Sequence, residues 1–408
     1  MGRRALTTGG VTVLALILCA GCNRHINPEW CAQPGHSDPL CTELDGGAAH
    51  CTKDEDCSNG LVCDTAISGG ACVACTDTNV AMCSPPICLM DKCAACATNA
   101  DCPSEACLPD GACAAEANVL YASPMGSGAA CTRAQKCSFA MATGLVTAAR
   151  KTIMLDAGTY LGAQTLARSA QVVGRGAIVD ANGQGAGISV TNDAAVELDF
   201  MTIQNATTAS GLTCDSGNIV AHAITVTANQ FGIIAACTLQ LDRSQVTHNA
   251  NGALEVTAGT INVRNNFFVN NGNINLSNNR NVTIGSAVTG AFVFNTVAYN
   301  VSKFPSLPGI ACSATTLDAE GNLITDNNRA GNFNSTQVSG SCDFTKSYTQ
   351  SGMNDLHWVD VTSDFHLTVL STPVIDVGLA NCAGLTDFDG DARPMGGGCD
   401  LGADELKP

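Results

Sequence analysis

Between Val196 and Asn327 the chain repeats one short phrase, an alternating apolar segment followed by a second that closes on an asparagine. Val196-Glu197-Leu198 leads to Ile203-Gln204-Asn205, Ile224-Thr225-Val226 to Asn229, and Leu239-Gln240-Leu241 to Val246-Thr247-His248-Asn249. Ile261-Asn262-Val263 leads to Phe268-Val269-Asn270, Phe292-Val293-Phe294 to Tyr299-Asn300, and Leu317 to Leu323-Ile324-Thr325-Asp326-Asn327. These asparagines lie 24, 20, 21, 30 and 27 residues apart. Period-two alternation makes half-buried strands, and a repeat of this length is one coil of a solenoid. Asparagine tolerates left-handed corners, and stacked amides hydrogen-bond from coil to coil. From Thr152 to about Leu370 the repeat allows on the order of ten coils, a rod near 48 Å at about 4.8 Å per coil. A propeller or sandwich would show sharper hairpin dipeptides between strands. Within residues 117–408 the Asn-Gly steps are only Asn182-Gly183, Asn251-Gly252 and Asn271-Gly272. The chain is therefore expected to be all-β, with a single-stranded parallel β-helix over residues 117–408.

Charged residues are 13% and aromatics 4% of the chain, a composition suited to short strands and tight corners. The formal charge of −17 repels a phosphate backbone and excludes nucleic acid as a partner. It also suits affinity for divalent cations.

Twenty-four cysteines belong in an oxidising compartment. Those between Cys51 and Cys113 fall into three groups: Cys51, Cys57, Cys63 and Cys72; Cys75, Cys83, Cys88 and Cys93; Cys96, Cys102, Cys107 and Cys113. A C-x-x-C step joins each group to the next, and Thr52–Cys57 echoes Thr98–Cys102. Units so short bury little core, so two disulfides each are expected to replace it across a stalk over 51–116, at about 2–4 kcal/mol apiece. Cys31 and Cys41 form a natural pair ahead of it. Zinc or thiol exchange are the alternatives, but no converging ligand set or thioredoxin-like unit accompanies these steps. Further along, proximity pairs Cys131 with Cys137, Cys214 with Cys237, Cys312 with Cys342 and Cys382 with Cys399.

The first 21 residues read as an export signal: Arg3 and Arg4, then an apolar Val11–Leu18 too short to span a bilayer. Leu18-Cys19-Ala20-Gly21-Cys22 resembles a bacterial lipobox, which implies a lipid on Cys22 and a membrane partner through it. Read otherwise, a nearby cleavage site leaves Cys22 to join a disulfide. Removing Cys19 and Cys22 leaves an even number of cysteines. Asn23 after the cysteine favours the outer membrane or cell surface, and 22–50 is expected to be a tether.

Tyr121–Gly128, Cys131, Cys137, Ala140–Arg150 and then Gly158-Thr159-Tyr160 resemble the opening of secreted pectate-lyase-like proteins. That resemblance implies a right-handed helix whose first coil is capped by an amphipathic helix. Asp364-Phe365-His366-Leu367, Asp387-Phe388-Asp389-Gly390-Asp391-Ala392-Arg393-Pro394 and Asp400-Leu401-Gly402-Ala403-Asp404-Glu405 resemble the closing module of bacterial surface β-helix proteins of the choice-of-anchor Q type. The two resemblances bracket residues 118–408 and imply architecture and surface location, with no common activity. Such proteins usually end in a sorting tail; here the lipid is expected to anchor instead.

Asp387, Asp389 and Asp391 alternate around Gly390 and invite calcium, although the remaining ligands of an EF-hand are missing. The alternative is that Arg393 and backbone amides satisfy them. Carbohydrate cleavage would need converging carboxylates, or a cation with a basic residue. Glu197, Asp199, Asp242, Asp318 and Glu320 recur near the coil strands, and Arg243 and Arg264 lie about one coil apart. His222 and His248 are the nearby histidines. As solvated surface charges these residues would carry no chemistry, and the expected role is a displayed, non-catalytic module binding glycans or an envelope component. The alternatives are a polysaccharide lyase or glycosidase, and a spacer with no ligand. Tyr299, Trp358 and Phe292 are among the few aromatics available for sugar stacking.

Overall fold

The computed structural model describes residues 51–407 apart from 58–60, 67–69, 77–86, 90–91, 276–279, 304–306, 329–335, 351–355, 378 and 380–381. The signal segment 1–21, Cys22, the tether 22–50 with Cys31 and Cys41, and Cys83 lie outside the described residues. The chain divides into two compact units, one through Ala94 and one from Ala95.

In the first unit Cys51 bonds Cys63 and Cys57 bonds Cys72, an interleaved pairing across the antiparallel strands Val62–Asp64 and Ala71–Val73. Cys75 bonds Cys88. A 3-10 turn over Asp54–Asp56 leads in, with Asp56 Oδ2 accepting the Thr52 and Lys53 amides and Asp54 Oδ1 the Cys63 amide.

The second unit opens with the same device. Cys96 bonds Cys107 and Cys102 bonds Cys113. Asp101 Oδ2 accepts the Ala97 and Thr98 amides, and Asn99 Oδ1 the Cys107 amide. The echo between Thr52–Cys57 and Thr98–Cys102 is thus a capped turn that presents two cysteines. This third repeat, grouped with the stalk by sequence, packs on the β-helix: Ala106 is buried with Val119, Tyr121, Met154 and Val173. The Tyr121 hydroxyl donates to Ser104 O at 2.5 Å.

The rest is a parallel solenoid. Its first sheet begins at Gln164–Leu166 and Ile188–Val190 and runs to Val338–Gly340. A second begins at Val119–Ala122 and Thr152–Leu155 and ends at Leu317–Asp318. The third runs from Gly158–Leu161 to Leu323–Thr325. About seven turns are complete, fewer than the ten the repeat suggested. Inward columns fill the core: Ile188, Leu212, Ile233 and Leu254 on the first sheet, Leu198, Ala221, Leu241 and Val263 on the second, Ile203, Val226, Val246 and Phe268 on the third. All are buried, as parallel strands require.

Two corners of each later coil are built on amides. After the third sheet, Asn229 Nδ2 donates to Asn249 Oδ1, Asn249 to Asn271, Asn271 to Asn300, Asn300 to Asn327, and Asn327 to Gln337 Oε1. Between the second and third sheets a further stack passes from Ser244 through Asn266, Asn295 and Asn322 to Ser347. The expected positions Asn205 and Asn270 do not belong to the first stack. They occupy the left-handed position one residue earlier, with φ of 60° and 55°. That position is equally filled by Ala228, His248 and Tyr299, and in the other corner by Phe200, Ala223, Arg243, Asn265 and Phe294. Where an amide follows, as after Ala228, His248, Asn265, Asn270, Phe294 and Tyr299, asparagine is selected at the second position for its hydrogen bonds rather than at the left-handed one for its backbone freedom.

The capping helix is Phe139–Gly144, with Ser138 Oγ accepting the Met141 amide and Phe139 and Ala142 buried. It stops short of the expected Arg150: Thr147 and Arg150 pair their backbones in a separate turn, and the Arg150 guanidinium reaches the carbonyls of Val119, Ala130 and Cys131.

Past Tyr348, whose backbone pairs with Leu323, the chain leaves the solenoid, which is why the coils end early. The hairpin Trp358–Asp360 and Asp364–Leu367 and the segments to 407 cover the outside of the third sheet. Phe267, Val269, Ala298 and Leu323 face Trp358, Phe365, Val374 and Leu401 there. A buried knot closes the module. Arg393 Nη1 lies 2.9 Å from Glu405 Oε2, and its guanidinium stands 4.8 Å from the Phe294 ring. Asp400 accepts the Asp376 and Leu406 amides. Cys131–Cys137, Cys214–Cys237, Cys312–Cys342 and Cys382–Cys399 are bonded, the second and third joining neighbouring coils.

Candidate functional site

The outward side chains of the second sheet form two parallel columns. Register stacks Glu197, Val220, Gln240 and Asn262 in one, and Asp199, His222, Asp242 and Arg264 in the other. Because strands of successive coils sit about 4.8 Å apart, four consecutive coils present four ionisable groups in line. A cleft of about 210 Å³ opens on them, with Pro109 of the third disulfide repeat on one wall. A hollow of about 290 Å³, lined by Lys151, Gln171 and Asn218, adjoins it through Glu197 and Val220.

Asp242 is the hub. Its Oδ1 accepts from Arg264 Nε at 3.2 Å and Asn265 Nδ2 at 3.1 Å, and its Oδ2 lies 3.4 Å from His222 Nδ1. Burial alone would raise this carboxyl, but the hydrogen bond to His222 and the Arg264 charge outweigh it and hold it low. Asp199 has the opposite environment. It is fully buried, and among the described residues neither oxygen has a hydrogen-bond partner. Burial, reinforced by the Glu197 charge, pushes it up to about 8 against the opposing Arg175. Asp199 is therefore neutral at pH 7. The Arg175 guanidinium lies 3.9 Å from the Phe200 ring, whose edge meets His222 at 5.6 Å.

Of the sequence candidates, the second sheet brings together Glu197, Asp199, His222, Asp242 and Arg264 at the cleft, with Asp242 contacting both Arg264 and His222. Arg243 turns away at its left-handed corner and donates to Phe388 O and Asp389 O, which fastens the C-terminal module. Glu320 pairs with Lys346 at 2.6 Å and Asp318 is exposed, both away from the cleft. His248 bonds Thr247 Oγ1. The Asp242–His222 contact was not anticipated, although both residues close strands exactly one repeat of 20 apart and that spacing is visible in the sequence.

In the C-terminal module Asp387, Asp389 and Asp391 do converge within 4.8 Å. Asp387 Oδ1 accepts the Asp391 amide and its Oδ2 the Glu405 amide, while Asp391 pairs with Lys407. Arg393 pairs with Glu405 instead of with these acids. Asp389 also approaches His366 and Asp404.

No family model matches this sequence, and no curated protein matches it. Among solved structures the chain is similar to the crystal structure of pectate lyase Pel9A, at 14% identity, covering 70% of this chain and 96% of that one, with a TM-score of 0.45. The β-helix itself is defined by the parallel pairing of its strands from coil to coil.

Proposed function

We propose that the chain is an exported protein held to the outer membrane or cell surface by lipid on Cys22, where it binds polysaccharide along the second sheet without cleaving it. The observation that carries this reading is the cleft above Glu197, Asp242, Gln240, Asn262 and Arg264. Carboxylates, amides and a guanidinium repeated at coil spacing are what hydroxyl pairs along a sugar chain hydrogen-bond to, ring after ring. The charge of −17 favours neutral over anionic glycans. Asp242, one of the acids that line the cleft, is already engaged by three side chains, and Asp199 is shut off from solvent, which argues against turnover. Disulfides throughout the described residues support export.

One observation favours glycoside hydrolysis as a second reading: Asp199 and Asp242 lie two coils apart with their proton affinities driven in opposite directions. Two coil spacings, about 9.6 Å between backbones, reach the upper end of the separation used by inverting enzymes. That reading requires Asp199, buried in this structure, to open to the cleft.

A panel of neutral and acidic polysaccharides, with binding and released reducing ends both measured, tests the two together. Saturable binding of a neutral glycan that Asp242→Asn or Arg264→Ala weakens, with no product, is the expected result. Product formation abolished by Asp199→Asn would replace it with the second reading, and absence of both refutes the site. Mass measurement of the processed N-terminus tests the lipid.

A further inference from the structure

His366 sits where the Trp358–Leu367 hairpin, the 387–391 loop and the closing segment come together. Its ring is held between Phe267 and Phe388, with centroids 5.4 and 5.8 Å away. Nδ1 lies 2.5 Å from Asp364 Oδ1, which makes Nδ1 the donor, so that the neutral ring carries its lone pair on Nε2. Nε2 is buried and makes no hydrogen bond among the described residues, yet Asp389 Oδ2 is only 3.2 Å away. Asp404, itself almost fully buried, brings a second carboxylate so that the three ligand atoms lie within 4.8 Å of one another. A lone pair facing two carboxylates is repulsive unless positive charge sits between them. A carboxylate behind the imidazole, orienting it toward the vacant side, is the arrangement that supports a metal-ligating histidine.

We propose that His366 Nε2, Asp389 and Asp404 bind a divalent first-row transition ion such as zinc or manganese, with Asp364 setting the ring. One imidazole and two carboxylates suit such ions, whereas calcium takes six to eight oxygens. The adjacent triplet Asp387, Asp389 and Asp391 is the poorer site, because Asp387 spends both oxygens on backbone amides and Asp391 is paired with Lys407. A bound ion would clip together three segments distant in sequence. The competing occupant is a single proton on Nε2.

The test is calorimetric titration of the chelator-stripped full-length chain with zinc chloride, then manganese and calcium chlorides. One zinc per chain is expected, with affinity falling roughly tenfold or more in His366→Gln and in Asp389→Asn and holding in Asp391→Asn. Cobalt loading should give a visible absorption band that His366→Gln removes. Asp389 is exposed at the surface, so Asp389→Asn leaves the metal-free fold intact, as an unchanged melting curve will show. Absence of zinc and manganese uptake with Nε2 found protonated by nitrogen NMR overturns the proposal. So does uptake that survives both variants, or a calcium-only site lost in Asp391→Asn.

Discussion

Asp199→Asn isolates the energetic consequence of burying an acid without partners. The carboxyl is raised from an ordinary 3.8 to about 8 in the folded chain. Below pH 3.8 it is protonated folded or unfolded, so it places no pH-dependent load on stability. Between pH 4 and 8 the unfolded chain releases the proton and the folded chain keeps it. The native state then binds more protons, and stability falls as pH rises. Four pH units at about 1.4 kcal/mol each give a loss on the order of 5 kcal/mol by pH 8. At about 2 °C per kcal/mol for a unit of this size, that is roughly ten degrees of melting temperature. Asparagine has nearly the same shape and does not titrate. The difference in stability between variant and parent should therefore grow in favour of the variant from pH 4.5 to 8.5. The measurement is guanidinium unfolding at several pH values with disulfides intact. Taking the difference removes the opposite trend from acids such as Asp242, whose stabilisation is present above the usual carboxylate range and lost on acidification. If parent and variant show parallel pH profiles, or if carbon NMR finds Asp199 titrating below pH 5, the argument is wrong.

The off-by-one correction at the corner predicts a contrast between neighbours. Asn271→Ala strips partners from the buried Asn249 amide, Asn300 Oδ1 and the Val246 and Val269 carbonyls, and should cost about 3 kcal/mol or more, whereas Asn270→Ala should cost about 1 kcal/mol; chemical denaturation of the pair measures it. Arg393→Met leaves the buried Glu405 charge unpaired and should destabilise the closing module by about 3–5 kcal/mol, seen as early hydrogen exchange of residues 356–407. Replacing Cys214 and Cys237 together by serine opens a 23-residue loop and should cost about 3 kcal/mol in unfolding experiments.

The apolar alternation and the returning asparagine were enough to read the coil, because both are local demands of a stacked strand. The exact corner residue was ambiguous where two asparagines stand together, as at Asn270-Asn271. The second stack carried a readable signal that was passed over: Ser244, Asn266, Asn295 and Asn322 each precede a member of the first stack by five residues. The coil count ran high because apolar pairs such as Phe365 and Leu367 pack outward on the third sheet and resemble one more rung. The Asp242–Arg264 pair was visible as residues one coil apart, while Arg243 was misleading because a left-handed corner aims it elsewhere. Asp199 became distinctive only through its burial in the folded chain, and His366 through loops that tertiary folding alone unites.

Each asparagine of both stacks donates forward to the next coil and back to a carbonyl of the coil before it, and wherever both stacks are filled the two positions of a coil span six residues, as Asn266 and Asn271 or Asn295 and Asn300 do. That segment is therefore a rigid gauge, while all variation in coil length falls outside it. A whole coil inserted in frame keeps every donor and acceptor matched, whereas a fractional one breaks two lines of hydrogen bonds at once. The length of the solenoid is thus a quantity this architecture can alter only in whole steps, by duplicating a turn and leaving both ends as they are.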